Sequence, residues 1–337
     1  MPSQTSATRW SSAPSKPIEH KVSARLKATR ALQFDGHSGS IYTLEPGTAD
    51  GRFFSGSDDR LVVEWDLSNP QKNRAVANLP VKAFAIKYIP SRDLLLVGNF
   101  HGGIHVIDLK SNKEVKLLQL HQRTIFQIIW DEDRNRFMAL AGDGHVSIWD
   151  VENFKLVEAV KLCHKKIRSL DIFRNAAGAA IGCGDGKIRI MDLDSLEILQ
   201  ELDGHLDGYS VNACRYSPDG QYLISGSRDA HINVWDIKAG YLQIARIPAH
   251  NYAIYSIEFS PSGEHFATGS MDKTIKIWSL SSLELELVIN AEKQGGHTNS
   301  VNKLMWSDYN DLLVSTGDDR TIKAWKIDPV PSPEISL

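Results

Sequence analysis

The sequence predicts an all-β repeat protein, and three recurring marks carry that reading. A hydrophobic strand ending in Trp or a substitute, usually followed by Asp, recurs at Trp65, Ile107, Trp149, Met191, Trp235, Trp278 and Trp325, at intervals of 42, 42, 42, 44, 43 and 47 residues. Six residues before each stands an Asp in a tight turn, at Asp59, Asp143, Asp185, Asp229, Asp272 and Asp319, with His101 in its place in the second unit. About 28 residues before the Trp position comes a His, as His37, His121, His164, His205, His250 and His297, often within Gly-His. Short period-two runs, such as Val211 to Tyr216, Tyr222 to Ser225 and Ile232 to Trp235, are separated by Gly, Ser, Asp and Pro, as strands joined by turns should be. Length alone, 337 residues, would suggest two or three domains, but a repeat of this period joins them into one.

These marks in fixed register resemble the WD40 repeat, whose unit of about 40 to 45 residues is a four-stranded propeller blade. The resemblance covers about residues 23 to 328 and is clearest from Gly204 to Asp236. Seven copies imply a single seven-bladed β-propeller over 23–328, with tails at 1–22 and 329–337.

In chain order, the first 20 residues are rich in Ser, Thr and Pro with few large apolar groups, the composition of a disordered tail. Residues 1–30 hold Arg9, Lys16, Lys21, Arg25, Lys27 and Arg30 against Glu19, a local charge of +5, so the overall −3 leaves −8 on the remainder. The tail lacks the apolar run of a secretory signal, which points to a cytoplasmic chain, with a mitochondrial transit peptide as the alternative. Over 23–35, Leu26, Ala28, Leu32 and Phe34 alternate with Arg25, Lys27, Thr29 and Gln33. Blade 7 has no outer strand of its own after Trp325, so this segment is expected to pair with the C-terminal blade and close the ring.

The resemblance implies a buried hydrogen-bonded chain of His, Ser or Thr, Asp and Trp in each blade, where each polar group needs the next because an unpaired one is costly. Complete sets are His37, Ser55, Asp59 and Trp65 in blade 1, and His205, Ser225, Asp229 and Trp235 in blade 5. Blade 6 has His250, Thr268, Asp272 and Trp278, and blade 7 has His297, Ser315, Asp319 and Trp325. Blade 3 has Ala139 where the hydroxyl belongs, blade 4 has Ile181 and Met191 beside His164 and Asp185, and blade 2 has Leu79, Val97, His101 and Ile107. Blades 2 to 4 are therefore expected to be held mostly by apolar packing.

No catalytic chemistry stands out. The His-Ser-Asp trio resembles a hydrolase triad, but its recurrence in four blades suits a structural role, since an enzyme needs one site. Neither a G-x-S-x-G elbow nor a Walker loop is present, and Gly182 to Gly186 leads into a strand rather than a helix. His101 and His105 are separated by a Gly-Gly turn, and Cys163, Cys183 and Cys214 lack zinc or disulfide spacing, so no metal, cofactor or thiol chemistry is expected. The inner strands offer no convergent ionisable set beyond Lys82, Lys166, Arg168 and Arg228. No apolar stretch approaches the roughly 18 to 20 residues of a membrane-spanning helix.

What remains is surface. The resemblance implies a top face where the third and fifth residues after the His, and the one before the turn Asp, look outward. Among these are Tyr42, Lys82, Phe84, Phe100, Phe126, Lys166, Arg168, Asn212, Arg228, Tyr255, Met271 and Asn302. Aromatic and Arg side chains make interface hot spots, so the expected function is a non-catalytic scaffold, monomeric or part of a complex. Its partner would be a protein peptide or loop carrying an apolar anchor and acidic groups. The alternatives are aromatics that merely plug the central channel, a face that binds single-stranded nucleic acid or a phosphate ligand, or an enzyme using the channel. The acidic body weighs against nucleic acid.

Overall fold

The computed structural model describes residues 26–173 and 178–330. Among the described residues, 28 strands form seven four-stranded antiparallel sheets. Blade 1 runs outward through Ile41–Pro46, Arg52–Ser57, Leu61–Asp66 and Arg74–Asn78. Blades 2 to 6 follow the same order from inner strands Ala83–Ile89, Ile125–Asp131, Ile167–Phe173, Val211–Tyr216 and Ile254–Phe259. Blade 7 takes Val301–Trp306, Leu313–Gly317 and Ile322–Pro329 from the C-terminal end and Leu26–Phe34 from the N-terminal end. Each inner strand packs on the next, and Val301–Trp306 meets Ile41–Pro46 to complete the circle. The expectations for residues 1–22, and for the tail after residue 330, lie outside the described residues.

The core lies between blades rather than at the centre. Seven apolar clusters fill the seven spaces between neighbouring sheets. Strands with apolar residues on both faces, such as Leu94–Asn99, read as continuous runs because both faces are covered. A blade alone would leave both such faces in water, and an unclosed ring one at each end, so closure of the ring is part of its stability.

The closing strand shows how. Leu26 to Phe34 pairs antiparallel with Pro329 to Ile322, and an irregularity between Arg30 and Leu32 breaks the register. Such a bulge turns the chain, so residues of one parity change faces across it. Leu26 and Ala28 accordingly join the cluster between blades 6 and 7, while Leu32 and Phe34 join the one between blades 7 and 1. One strand thus seals two interblade spaces.

Gly-His pairs have a packing cause. At Gly204 a Cβ would stand 2.5 Å from the Trp235 ring, so in blade 5 the residue before the His must lack a side chain.

Candidate functional site

The buried polar chains come first because they fix the loops of the top face. In blade 1 the Trp65 indole N–H donates to Ser55 Oγ at 2.7 Å, Ser55 meets His37 Nε2 at 2.7 Å, and His37 Nδ1 meets Asp59 at 2.8 Å. The proton order is set from the Trp end, since an indole only donates. Ser55 therefore donates to a neutral imidazole whose Nδ1–H points at the carboxylate. Burial pushes His37 and His250 below their ordinary value, in keeping with a neutral ring. Burial alone would raise Asp229, but hydrogen bonds from His205 and from the backbone N–H groups of His231 and Leu206 outweigh it and hold the carboxyl at about 2. Blades 5, 6 and 7 repeat the chain through Ser225, Thr268 and Ser315.

Blades 2 to 4 correct the expectation of mainly apolar packing. In blade 3, Ser147 supplies the missing hydroxyl from the next strand, directly opposite Ala139. It lies 2.8 Å from both His121 Nε2 and Trp149 Nε1, and His121 reaches Asp143 at 3.0 Å, so the chain is complete. In blade 2 the residue opposite Val97 is His105, buried between Asn99 and Glu114 at 2.9 Å each. In blade 4 the residue opposite Ile181 is Arg189, paired with Asp185 and Glu201 at 2.9 Å each. Each blade that lost the hydroxyl has a polar group one strand outward.

His164 is also reassigned. It is exposed, while buried Cys163 stands four residues before Ile167, as His121 stands before Ile125. The loop is one residue longer after this position than the His spacing implied. The three cysteines are buried; the Cys163 thiol donates to the Lys165 carbonyl and the Cys183 thiol to the Ile181 carbonyl.

The fifth positions after the His converge over the channel mouth. Tyr42 stacks on Phe84 at 4.1 Å, and Phe84 meets Phe126 edge-on at 6.2 Å. The Arg168 guanidinium lies 4.6 Å from the Phe126 ring and 5.5 Å from Tyr255. Asn302 bridges to Asp318 and the Ile41 carbonyl, and Asn212, buried, donates to the Ile254 carbonyl at 2.9 Å. These seven side chains bind one another or the adjoining blade. Tyr42, Phe84, Phe126 and Tyr255 are half-buried in this cap.

Below the cap, the ring brings together an ionisable set that the sequence reading did not find. Lys87 meets Glu45 at 2.7 Å, and Arg215 bridges Asp171, at 3.3 Å, and Glu258. Lys303 stands among Glu258, Arg215, Glu45 and Lys87, and burial pushes its amine down, as burial pushes Asp171 up. The carboxylates also receive backbone N–H groups of the next blade, Glu45 from Tyr88 and Asp171 from Tyr216. They tie neighbouring inner strands together.

The remaining predicted residues face outward. Lys82 pairs with Asp58 and lies 5.8 Å over Phe100, which is 44% exposed; Met271 is 46% exposed. Lys166 and Arg228 border a groove of about 640 Å³ across blades 2 to 5, walled by Phe100 and Phe126 and floored in part by Gly142 and Gly184. Burial, then the charges of Arg168 and Arg228, lower the Lys166 amine to about 8. Sequence reasoning missed Arg123 and Lys165, which also line the groove, because they lie between the counted positions. The run His164-Lys165-Lys166-Ile167-Arg168 was the available signal.

Comparison with known proteins accords with this geometry. The family description "WD domain, G-beta repeat" matches residues 28–66, 196–236, 242–279 and 291–326, and "Anaphase-promoting complex subunit 4 WD40 domain" matches 86–175. WD repeat-containing protein SL1-17 of Schistosoma mansoni is 30% identical over 294 residues, 87% of this chain and 81% of that protein. Human Pre-mRNA-processing factor 17 is 26% identical over 65% of this chain, and U3 small nucleolar RNA-associated protein 21 of Saccharomyces cerevisiae is 25% identical over 54%. The matched regions span only 38% and 19% of those two proteins' own length. The crystal structure of the WD40 β-propeller domain of Doa1 superposes with a TM-score of 0.76, covering 89% of this chain and 97% of that one at 18% identity, a likeness of fold.

Proposed function

The chain belongs to the WD40-repeat family, and from that premise we propose that it is a non-catalytic protein-interaction scaffold whose docking site is the top-face groove over blades 2 to 5. The observation that carries the reading is the groove itself, an open basin beside an exposed Phe100, bordered by Arg123, Lys165, Lys166 and Arg228. An exposed aromatic beside Arg is the composition of a hot spot. A partner peptide or loop would set an apolar side chain against Phe100 and acidic groups toward the basic wall. The seven channel-capping side chains shape the floor of this face, because their stacking surfaces are already engaged.

An enzymatic reading of the channel has less to support it. The carboxylates beneath the cap are occupied in ion pairs and in bonds to backbone N–H groups of the next blade, which leaves no evident general base. The test of docking is affinity capture from native extract with wild type and a Phe100→Ala, Arg228→Gln variant of matching circular dichroism. The reading predicts that specific partners are lost from the variant, and equal recovery by both proteins would overturn it.

A further inference from the structure

We propose that the groove recognises a phosphorylated segment of its partner, with a phosphoserine or phosphothreonine seated between Lys166 and Arg228 and a neighbouring apolar side chain against Phe100. This rests on the docking reading above and names the chemistry of what docks.

The first argument is charge left without a counter-charge. Several cations elsewhere in the molecule sit on carboxylates, as Lys82 on Asp58, Lys87 on Glu45, Arg136 on Asp131 and Arg189 on Asp185. Around the groove Arg123, Lys165, Lys166 and Arg228 converge, with Arg168 behind them, and no Asp or Glu lines the basin among the described residues. Arg168 and Arg228 have aromatic rings as their contacts, Phe126 and Tyr255 for the first and Tyr209 for the second. Like charges gathered under partial burial destabilise one another; the Lys166 amine is lowered first by burial and then by the neighbouring charges of Arg168 and Arg228. The remainder of the chain carries −8 once residues 1–30 are set aside, so this concentration of cations goes against the trend of the whole molecule. Such a site attracts an anion by both local contact and field focusing.

The second argument selects the anion. A phosphate monoester brings about −1.5 to −2 charges and three acceptor oxygens to one point, whereas a carboxylate brings about −1. Neutralising Lys166, Arg228 and the Arg168 behind them at one point suits the dianion. Gly142 and Gly184 stand where other blades place a side chain before the turn Asp, such as Asp58, Met271 and Asp318, and they leave the floor open to a bulky group.

The third argument selects the carrier. A free phosphate would leave the exposed Phe100 uncovered, while a peptide covers both. Single-stranded RNA needs a series of open aromatic faces for stacking. Here Tyr42, Phe84 and Phe126 stack on one another or on Arg168, and an acidic body repels a polyanion longer than the groove.

The test uses the full chain against an immobilised degenerate peptide library with a fixed central phosphothreonine, beside the same library carrying Thr or Glu there. Enriched sequences are then measured by fluorescence anisotropy. The phosphorylated form should bind about tenfold or more tightly than the Thr and Glu forms, a difference of charge-assisted bonds. That preference should vanish in Lys166→Gln, Arg228→Gln; should this variant misfold, the more exposed pair Lys165→Gln, Arg123→Gln should reduce it. Phe100→Ala should weaken all three forms alike. Equal affinity for the three forms, with dependence on Phe100 kept, would overturn the phosphate assignment while sparing the docking reading. No retention of any library, together with partner capture unaffected by Phe100→Ala, would overturn both. Tighter binding of oligouridylate than of any phosphopeptide would overturn the proposal in favour of RNA.

Discussion

Ser147 holds two buried partners at once, accepting from the Trp149 indole and donating to His121, each at 2.8 Å. Ser147→Ala should therefore strand a donor and an acceptor inside the sheet and cost about 1–3 kcal/mol, read as a lower urea midpoint with an unchanged m-value. Ser225→Ala in blade 5 should cost a similar amount, although the two serines lie on different strands. The same networks set a pH dependence. Burial holds His37, His121 and His250 below their ordinary 6.5, so as pH falls through that value the unfolded chain takes up protons that the folded chain resists. Asp59 and Asp143 lie below 3.8, and Asp229 at about 2, so a second loss begins as pH falls through 3.8. The contribution of these networks is thus complete above about pH 6.5 and declines in two stages on acidification, by linkage. Urea midpoints measured down to about pH 4 should fall below 6.5; a flat profile would show that the histidines are not buried neutral. The four complete sets were legible because His, Ser or Thr, Asp and Trp recur at fixed spacing. The outward-shifted groups were not, because the place two before the Trp also holds Asn233, Lys276 and Lys323 in intact blades. A polar residue there means rescue only when its cross-strand neighbour is apolar, and pairing is a property of the fold.

At the scale of elements, the closing strand has the most to lose. Phe34 packs edge-on against both Phe53 and Trp65, at 5.6 and 5.5 Å. Phe34→Ala should cost about 3–5 kcal/mol, whereas Lys27→Ala, on the exposed side of the same strand, should change stability by less than about 0.5 kcal/mol. Thermal melts of the two variants decide this; equal shifts would mean that the strand does not seal the ring. Period-two alternation revealed this strand, but the break between Arg30 and Leu32, which divides its residues between two cores, has no signature in the alternation itself. The turns carry a related constraint. Gly144 has φ +86, and a Cβ there would stand 2.1 Å from the Cys163 carbonyl oxygen, so Gly144→Ala should lower the melting temperature and loosen the loop that bears Lys165 and Lys166. That loop was misread by one residue in the sequence, because an exposed His164 beside a buried Cys163 imitates the missing mark.

Across the whole molecule, repetition explains why the architecture could be read from spacing while the site could not. Every blade must close, so structural residues recur and announce themselves. A binding surface arises where blades differ, and blades 2 to 5 differ at the position before the turn Asp. Their Gly142, Gly184, Phe100 and Arg228 occupy equivalent places with unlike chemistry, and only the ring sets them around one basin. Position counting also gave equal weight to side chains that cap the channel and to those that face outward, a distinction made by contacts such as the 4.1 Å stack of Tyr42 on Phe84. The basic groove on an acidic body should make association salt-sensitive, with the on-rate falling more than the off-rate changes as salt rises. The central claim is that this groove is where partners dock. The most direct test is hydrogen–deuterium exchange of the chain alone and in complex with a partner captured from native extract. The account predicts new protection at Phe100 and His101, Gln122 to Phe126, His164 to Lys166 and Gly208 to Ser210, with the outer strands unchanged. Protection confined to the outer strands or the opposite face, with those segments exchanging as in the unbound protein, would contradict it.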